Sequence, residues 1–252
     1  FVLLCLISSS VYIINDLADI ESDRQHPRKR HRAIASGQLP KPLAVGGAIA
    51  LIMISIGGAL LYSPAFALVL VVYLVLHLLY SVSLKHIVII DVMVITAGFL
   101  LRVAAGVVVI HVARFSPLLY VCVALLAMFL AIGKRRQELL MLADKAGDVR
   151  VTLDHYNLPL LDDMLRIVLV GTLIAYLLYA IEEPSYLLQG TNLTLLTVPF
   201  VFYGVFRYLF LMHVKGEGSA PDEVLLKDRP LLLSILLWGL TFVAILYFPT
   251  LI

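Results

Sequence analysis

Eight apolar runs, at residues 1–14, 43–62, 65–84, 88–111, 117–133, 163–181, 193–213 and 231–249, leave this chain little choice of solvent. A bilayer core about 30 Å thick takes about 20 helical residues, and most of the runs have that length. No run alternates with a period of two, so helices rather than barrel strands are expected. Composition agrees: 62% of residues are hydrophobic and 14% charged, where a soluble domain carries about 25% charge. The expectation is an all-α integral membrane protein with a single transmembrane helical domain over residues 1–252. The first run is short and starts at Phe1, which predicts at least one more helix upstream. It lacks the basic flank and small-residue cleavage site of a signal peptide. Cys5 and Cys122 both lie inside apolar runs and read as small hydrophobes.

The connections between the runs alternate in character. The first, third, fifth and seventh carry fifteen Lys and Arg residues, and the short even ones carry only Arg114. That asymmetry places the odd connections on the cytoplasmic side of an inner (plasma) membrane, in a multi-pass topology. Topology alone does not account for Asp16, Asp19, Asp23, Glu138, Asp144, Asp148, Asp154 and Asp228 on the same side, because acidic residues contribute little to orientation.

The densest acidic stretch is "NDLADIESD", residues 15–23. On a helix continuing past Ile14, Asn15, Asp16, Asp19 and Asp23 fall within an arc of roughly 100°. Like charges at this spacing destabilise a helix, and a membrane interface raises the cost of keeping them ionised. A divalent cation removes both problems. Oxygen ligands without His or Cys suit Mg²⁺, which binds through one or two carboxylates plus substrate phosphates. The basic run downstream, with Lys29 and Arg30, supplies phosphate contacts. The bland reading is a solvated helix end paired with its own basic loop.

"NDLADIESD" and the following "HPRKRHRAIASGQLP" resemble the signature of the UbiA superfamily of intramembrane prenyltransferases, with Ala33 where proline is common. The resemblance covers nearly the whole chain. It implies a UbiA-like bundle of nine transmembrane helices, of which about eight are visible here, around a lipid-open cavity. It further implies Mg²⁺ as cofactor, Asp16, Asp19 and Asp23 as metal ligands and catalytic residues, and Asn15 beside them. "YSVSLKH" is similar to the superfamily's Tyr/Lys element, although the spacing from Tyr80 to Lys85 is one residue longer. Lys85 is expected as a catalytic phosphate contact, its alternative being topology only.

Where most members carry a second Asp-rich motif, this chain reads "GKRRQELLMLADKAGDVRVTLDHYN". That stretch and "PDEVLLKDRPLLL" resemble the decaprenyl-phosphate phosphoribosyltransferase branch of the superfamily. The branch implies phosphoribosyl pyrophosphate (PRPP) as electrophile and a polyprenyl phosphate as nucleophile. PRPP carries a second anion, for which Lys134, Arg135, Arg136 and Arg150 are expected, with Glu138 and Tyr156 beside them. A helix starting near residue 134 also makes Lys134 and Glu138 an i,i+4 pair, worth about 0.3–0.5 kcal/mol if it is only a surface pair.

Arg102 sits deep in an apolar run. It is read as lining the cavity, or as a structural partner for a carbonyl. Asp228 and Arg229 precede Pro230, so Asp228 either caps the next helix or closes the site. His77 reads as a satisfied core histidine, and Arg207 as structural.

The leading expectation is transfer of 5-phosphoribose from PRPP to a polyprenyl phosphate. The alternatives are a standard UbiA prenyltransferase with an aromatic acceptor and, from another class, a secondary transporter. Transporters place ionisable groups near the midplane, whereas here the acids gather at one interface. The expected partners are PRPP, a polyprenyl phosphate lipid and the bilayer, with a second copy of the chain left open. No P-loop occurs, the aromatics are scattered, and nucleic acid is not expected.

Overall fold

The structure is a computed structural model that describes residues 1–25, 29–110, 116–142, 151–182, 192–216 and 221–247. Every element among the described residues is helical, and the chain divides into two compact units, Phe1–Phe115 with Leu142–Tyr156, and Ser116–Met141 with Asn157–Ile252.

The first unit contains α1 (Val2–Ala18), α2 (Ile20–Gln25), α3 (Lys41–Tyr62), α4 (Pro64–Val82) and α5 (Ile90–Ile110). Short 3₁₀ turns at Lys29–His31, Leu84–His86 and Val151–His155 complete it. The acidic stretch was expected on one continuous helix, but α1 ends at Ala18 and α2 begins at Ile20. Hydrogen bonds from Asp19 N to Asn15 O (2.9 Å) and Asp23 N to Asp19 O (2.8 Å) still carry the i,i+4 pattern across the break. Ser22 Oγ also donates to Asp19 O (3.0 Å), a side-chain competitor of the kind that loosens a helix.

α1 lies close to α3 because the facing residues are small, as interfaces within a bilayer require. Ser55 Oγ donates to Leu3 O (2.7 Å), and a Cβ on Gly58 would stand 3.0 Å from Leu3 Cδ2. Ile7, Ala59, Phe66, Leu70 and Tyr73 fill the space between α1, α3 and α4. One residue, Ser63, joins α3 to α4; its Oγ accepts from Phe66 N (3.4 Å), and Pro64 takes the first helical position.

The second unit contains α6 (Pro117–Leu142), α7 (Leu158–Glu182), a 3₁₀ turn Leu193–Thr197, α8 (Val198–Val214), α9 (Pro221–Lys227) and α10 (Arg229–Tyr247). A new helix was expected near residue 134, yet α6 runs unbroken through it. Lys, Arg, Gln, Glu and Leu are good helix formers. Gly133 serves close packing instead: a Cβ there would lie 3.2 Å from Met212 Sδ. Trp238 Nε1 donates to Tyr176 Oη (2.7 Å), and Tyr176 Oη pairs with Thr197 Oγ1 (2.6 Å), so these polar tips are satisfied among apolar neighbours. Arg207 makes a two-pronged pair with Asp228 (3.1 and 2.8 Å), and Asp228 Oδ1 also accepts from Leu231 N (2.9 Å), capping α10.

Among the described residues, seven helices are long and apolar enough to cross a membrane, and α1 is a shorter apolar helix of 17 residues. These eight match the eight runs of the sequence. Large apolar side chains on them are exposed, Leu61 93% and Ile167 73%, as expected of surfaces that face lipid.

Two expectations follow. Gly58→Leu overfills the α1–α3 contact and should lower stability by about 1–3 kcal/mol, read as thermal unfolding in detergent. Gly57→Leu, with nothing within 4 Å of its Cβ, should leave it unchanged. Asp228→Ala should cost about 1–2 kcal/mol by removing the cap and the two-pronged pair with Arg207, and Asp228→Asn less, because Asn still caps. The Arg207 hydrogen bond holds the Asp228 carboxyl below its usual 3.8. This contribution is therefore fully present above 3.8 and disappears as pH falls through the depressed folded value.

Candidate functional site

In the first unit the polar groups gather where α1 gives way to α2. Asn15 and Asp16 sit on the last turn of α1, Asp19 at its end and Asp23 on α2. The basic segment then folds back over them. Ile34 packs with Ile20 and Ala44, Arg24 Nε donates to Ala35 O (3.2 Å), and Gly37 takes φ +83° at the turn before Leu39. That fold delivers Arg32 to the aspartates. Its Nη1 lies 2.7 Å from Asp16 Oδ1 and 2.9 Å from Asp23 Oδ2, so two carboxylates share one cationic atom.

Asp19 is treated differently. Lys85, 8% exposed on the Leu84–His86 turn, places its ammonium against Asp19 Oδ1. Asn15 Nδ2 donates to Asp19 Oδ2 (3.1 Å), while Asn15 Oδ1 accepts from Ser81 Oγ (3.3 Å). The expected group of three carboxylates thus resolves into a pair on Arg32 and a single on Lys85. Asp23 is 3% exposed, and burial pushes its carboxyl above the usual 3.8 against the pull of Arg32 and Lys29. Lys29 is close enough to act on Asp16 as well, and Arg30, exposed, donates from Nε to His31 Nε2 (3.2 Å).

Among the described residues no three His, Cys, Asp or Glu side chains converge as a metal cage. The donor set nevertheless suits Mg²⁺, which takes one or two carboxylates and fills its remaining positions with water and phosphate oxygen. Asp16 and Asp23 already face a common cation, so the pair fits such an ion.

Arg102 lies twelve residues beyond Ile90, about 18 Å along α5 at 1.5 Å per residue. It donates to Tyr73 Oη (2.7 Å), and its guanidinium stands 5.0 Å from the Phe99 ring and 5.3 Å from the Tyr73 ring. His77 packs on Tyr73 (4.4 Å between rings) as a core residue, but its Nε2 is buried without a hydrogen-bond partner. The close passage of α5 at Gly98, where a Cβ would stand 2.6 Å from that nitrogen, explains why the expected satisfaction fails. The Tyr156 hydroxyl donates to Asp91 Oδ1 (2.8 Å) and accepts from Ile89 N (2.7 Å).

In the second unit the "KRRQE" residues engage their own surroundings. Arg135, 2% exposed, pairs with Glu138 at 2.5 Å. Arg136 Nε reaches Asp162 Oδ1 on α7 (2.6 Å), and Gln137 Nε2 donates to Met212 O on α8 (2.8 Å). Lys134 is exposed on the same turn, and Arg229 is exposed at the start of α10. Arg28, Asp144, Asp148 and Arg150 lie outside the described residues.

Sequence reasoning missed Arg32, Ser81 and Asp91. Arg32 was one more cation in a basic run, and no spacing rule singles it out. Asp91 carried a weak signal: a carboxylate set into the first turn of an apolar helix.

The sequence pattern of the UbiA prenyltransferase family matches residues 1–225. A Corynebacterium glutamicum protein named decaprenyl-phosphate phosphoribosyltransferase is 34% identical over 250 residues, covering 98% of this chain and 74% of that one. A Mycobacterium tuberculosis protein of the same name is 33% identical over 238 residues, covering 94% and 77%. A solved UbiA homolog from Archaeoglobus fulgidus, bound to GPP and Mg²⁺, shares the fold with a TM-score of 0.73 at 18% identity, over 97% of this chain and 87% of that one. With the acidic helix end, the apolar bundle and these likenesses together, the chain belongs to the UbiA prenyltransferase family.

Proposed function

We propose that this protein transfers the 5-phosphoribosyl group of PRPP to a polyprenyl phosphate of the decaprenyl type and releases pyrophosphate. The observation that carries the reading is the match, over nearly the whole chain, to relatives named for that chemistry. A phosphate oxygen of the lipid forms the new bond to ribose C1. The bond from C1 to the pyrophosphate oxygen breaks, and pyrophosphate departs with the electron pair.

Mg²⁺, when bound, supplies Lewis-acid neutralisation of that leaving group. Asp16 and Asp23 would hold it, with Asp19 beside them. Lys85 offers a fixed positive charge to a phosphate oxygen, and Asp19 and Asn15 orient it. Arg32 gives planar donors once a metal ion neutralises the aspartates it now bridges. Lys29 and Arg30 extend the same basic surface. The fifteen-to-one distribution of Lys and Arg supports placing this end on the cytoplasmic side of the plasma membrane.

A second reading is favoured by the solved neighbour, which holds GPP: transfer of a prenyl group from a prenyl diphosphate to an aromatic acceptor. One assay separates the two. Membranes containing the protein, with Mg²⁺, labelled PRPP and a polyprenyl phosphate, should form a labelled lipid, and chelation should stop it. No label from PRPP, with turnover of a prenyl diphosphate and aromatic acceptor, would overturn the proposal.

Asp19→Asn should lower turnover about 10²–10³-fold and leave thermal unfolding nearly unchanged; retained turnover would contradict its place beside Lys85. Because burial raises the Asp23 carboxyl above 3.8, protonation removes this ligand at a higher pH than for an exposed aspartate. The Mg²⁺ concentration for half-maximal rate should therefore climb as pH falls toward that raised value, and Asp23→Asn should flatten the climb.

A further inference from the structure

Lys85 is a point charge on a flexible four-carbon stem, so its usefulness depends on how firmly its backbone is held. The Leu84–His86 turn leads through Ile87 and Val88 to Ile89, which has φ 69°, a left-handed conformation rare for a β-branched residue. Such conformations persist only where the surroundings hold them. Ile89 O accepts from Val92 N (3.2 Å) and Met93 N (3.0 Å), so this is the point where the Lys85 turn becomes α5.

What holds it comes from far along the chain. Tyr156, 5% exposed, accepts from Ile89 N (2.7 Å) and donates to Asp91 Oδ1 (2.8 Å), and Asp91 has no exposed surface. Thr152, also without exposure, directs its Oγ1 to Lys85 O (3.4 Å). The segment Val151–Tyr156 therefore touches both ends of the turn. The single Tyr156 hydroxyl ties a strained N–H to a buried carboxylate.

We propose that Val151–Tyr156 is a strap that sets Lys85, with Tyr156 and Asp91 as positioning residues that fix the Leu84–Ile89 turn and so hold the ammonium against Asp19. Its consequence for turnover rests on Lys85 being a phosphate contact, as in the function proposed above. The buried hydroxyl–carboxylate pair specifies one turn geometry, and the strain at Ile89 is what the pair retains. Tyr156 itself has its hydroxyl engaged on both sides and acts through Lys85 rather than on substrate.

Tyr156→Phe removes one oxygen and keeps the ring. In the full chain in detergent, acylation of Lys85 by an amine-selective ester, read by peptide mass spectrometry, should rise severalfold, while exposed Lys41 labels equally in both proteins. Asp91→Ala should label like Tyr156→Phe. Asp91→Asn keeps an acceptor for the hydroxyl and should label like the wild type. With PRPP and polyprenyl phosphate, Tyr156→Phe should lower kcat roughly tenfold to a hundredfold, the scale of a small misplacement, and should have no further effect in a Lys85→Ala background. Unchanged Lys85 labelling in both Tyr156→Phe and Asp91→Ala, or an equal loss with and without Lys85, would overturn the strap. The labelling needs no substrate. Increased labelling in a protein that does not use PRPP therefore supports the strap and sinks only the functional reading.

Discussion

One guanidinium nitrogen shared by Asp16 and Asp23 is the interaction around which the first unit is arranged. Three carboxylates within two helical turns repel one another, and the apolar helix behind them offers poor solvation for charge. Arg32 and Lys85, sixteen and sixty-six residues downstream of their partners Asp16 and Asp19, resolve the repulsion. The fold-back after α2, with Ile34 seated beside Ile20 and Ala44, exists to bring Arg32 home. The turn between α4 and α5 does the same for Lys85. Cations supplied by the protein itself thus balance the acidic cluster.

The second unit uses its charges the other way. Arg135 with Glu138 and Arg136 with Asp162 are spent on bracing α6 internally and against α7. A guanidinium that is 2% exposed needs partners, and Glu138 is one of them. The pairing of these arginines was hidden in the sequence, because residue type reveals the charge but not what faces it. The same limit applies to Asp228, whose carboxylate both pairs with Arg207 and caps α10.

Architecture was legible because its signal is carried by many residues at once. Apolar runs about 20 residues long marked most of the helices to within a few residues. The acidic stretch was legible as a cluster because its spacing is local. What the sequence concealed was pairing across distance. Arg32 closes on Asp16 across sixteen residues, Lys85 on Asp19 across sixty-six and Tyr156 on Asp91 across sixty-five. The break at Asp19 was hidden for a related reason, since a competing hydroxyl at Ser22 has no periodic signature. The unbroken α6 was hidden because its apolar run stops at residue 133 while the helix continues through charged residues to Leu142.

The Ser63 junction has a consequence for how such a chain is made. Between Tyr62 and Pro64 there is no loop to carry across a bilayer, only one hydroxyl already spent on the Phe66 amide. Two helices joined so tightly enter lipid as one hairpin, with no charged segment to drag through the hydrocarbon. Biosynthesis of this region thus proceeds in a step of two spans.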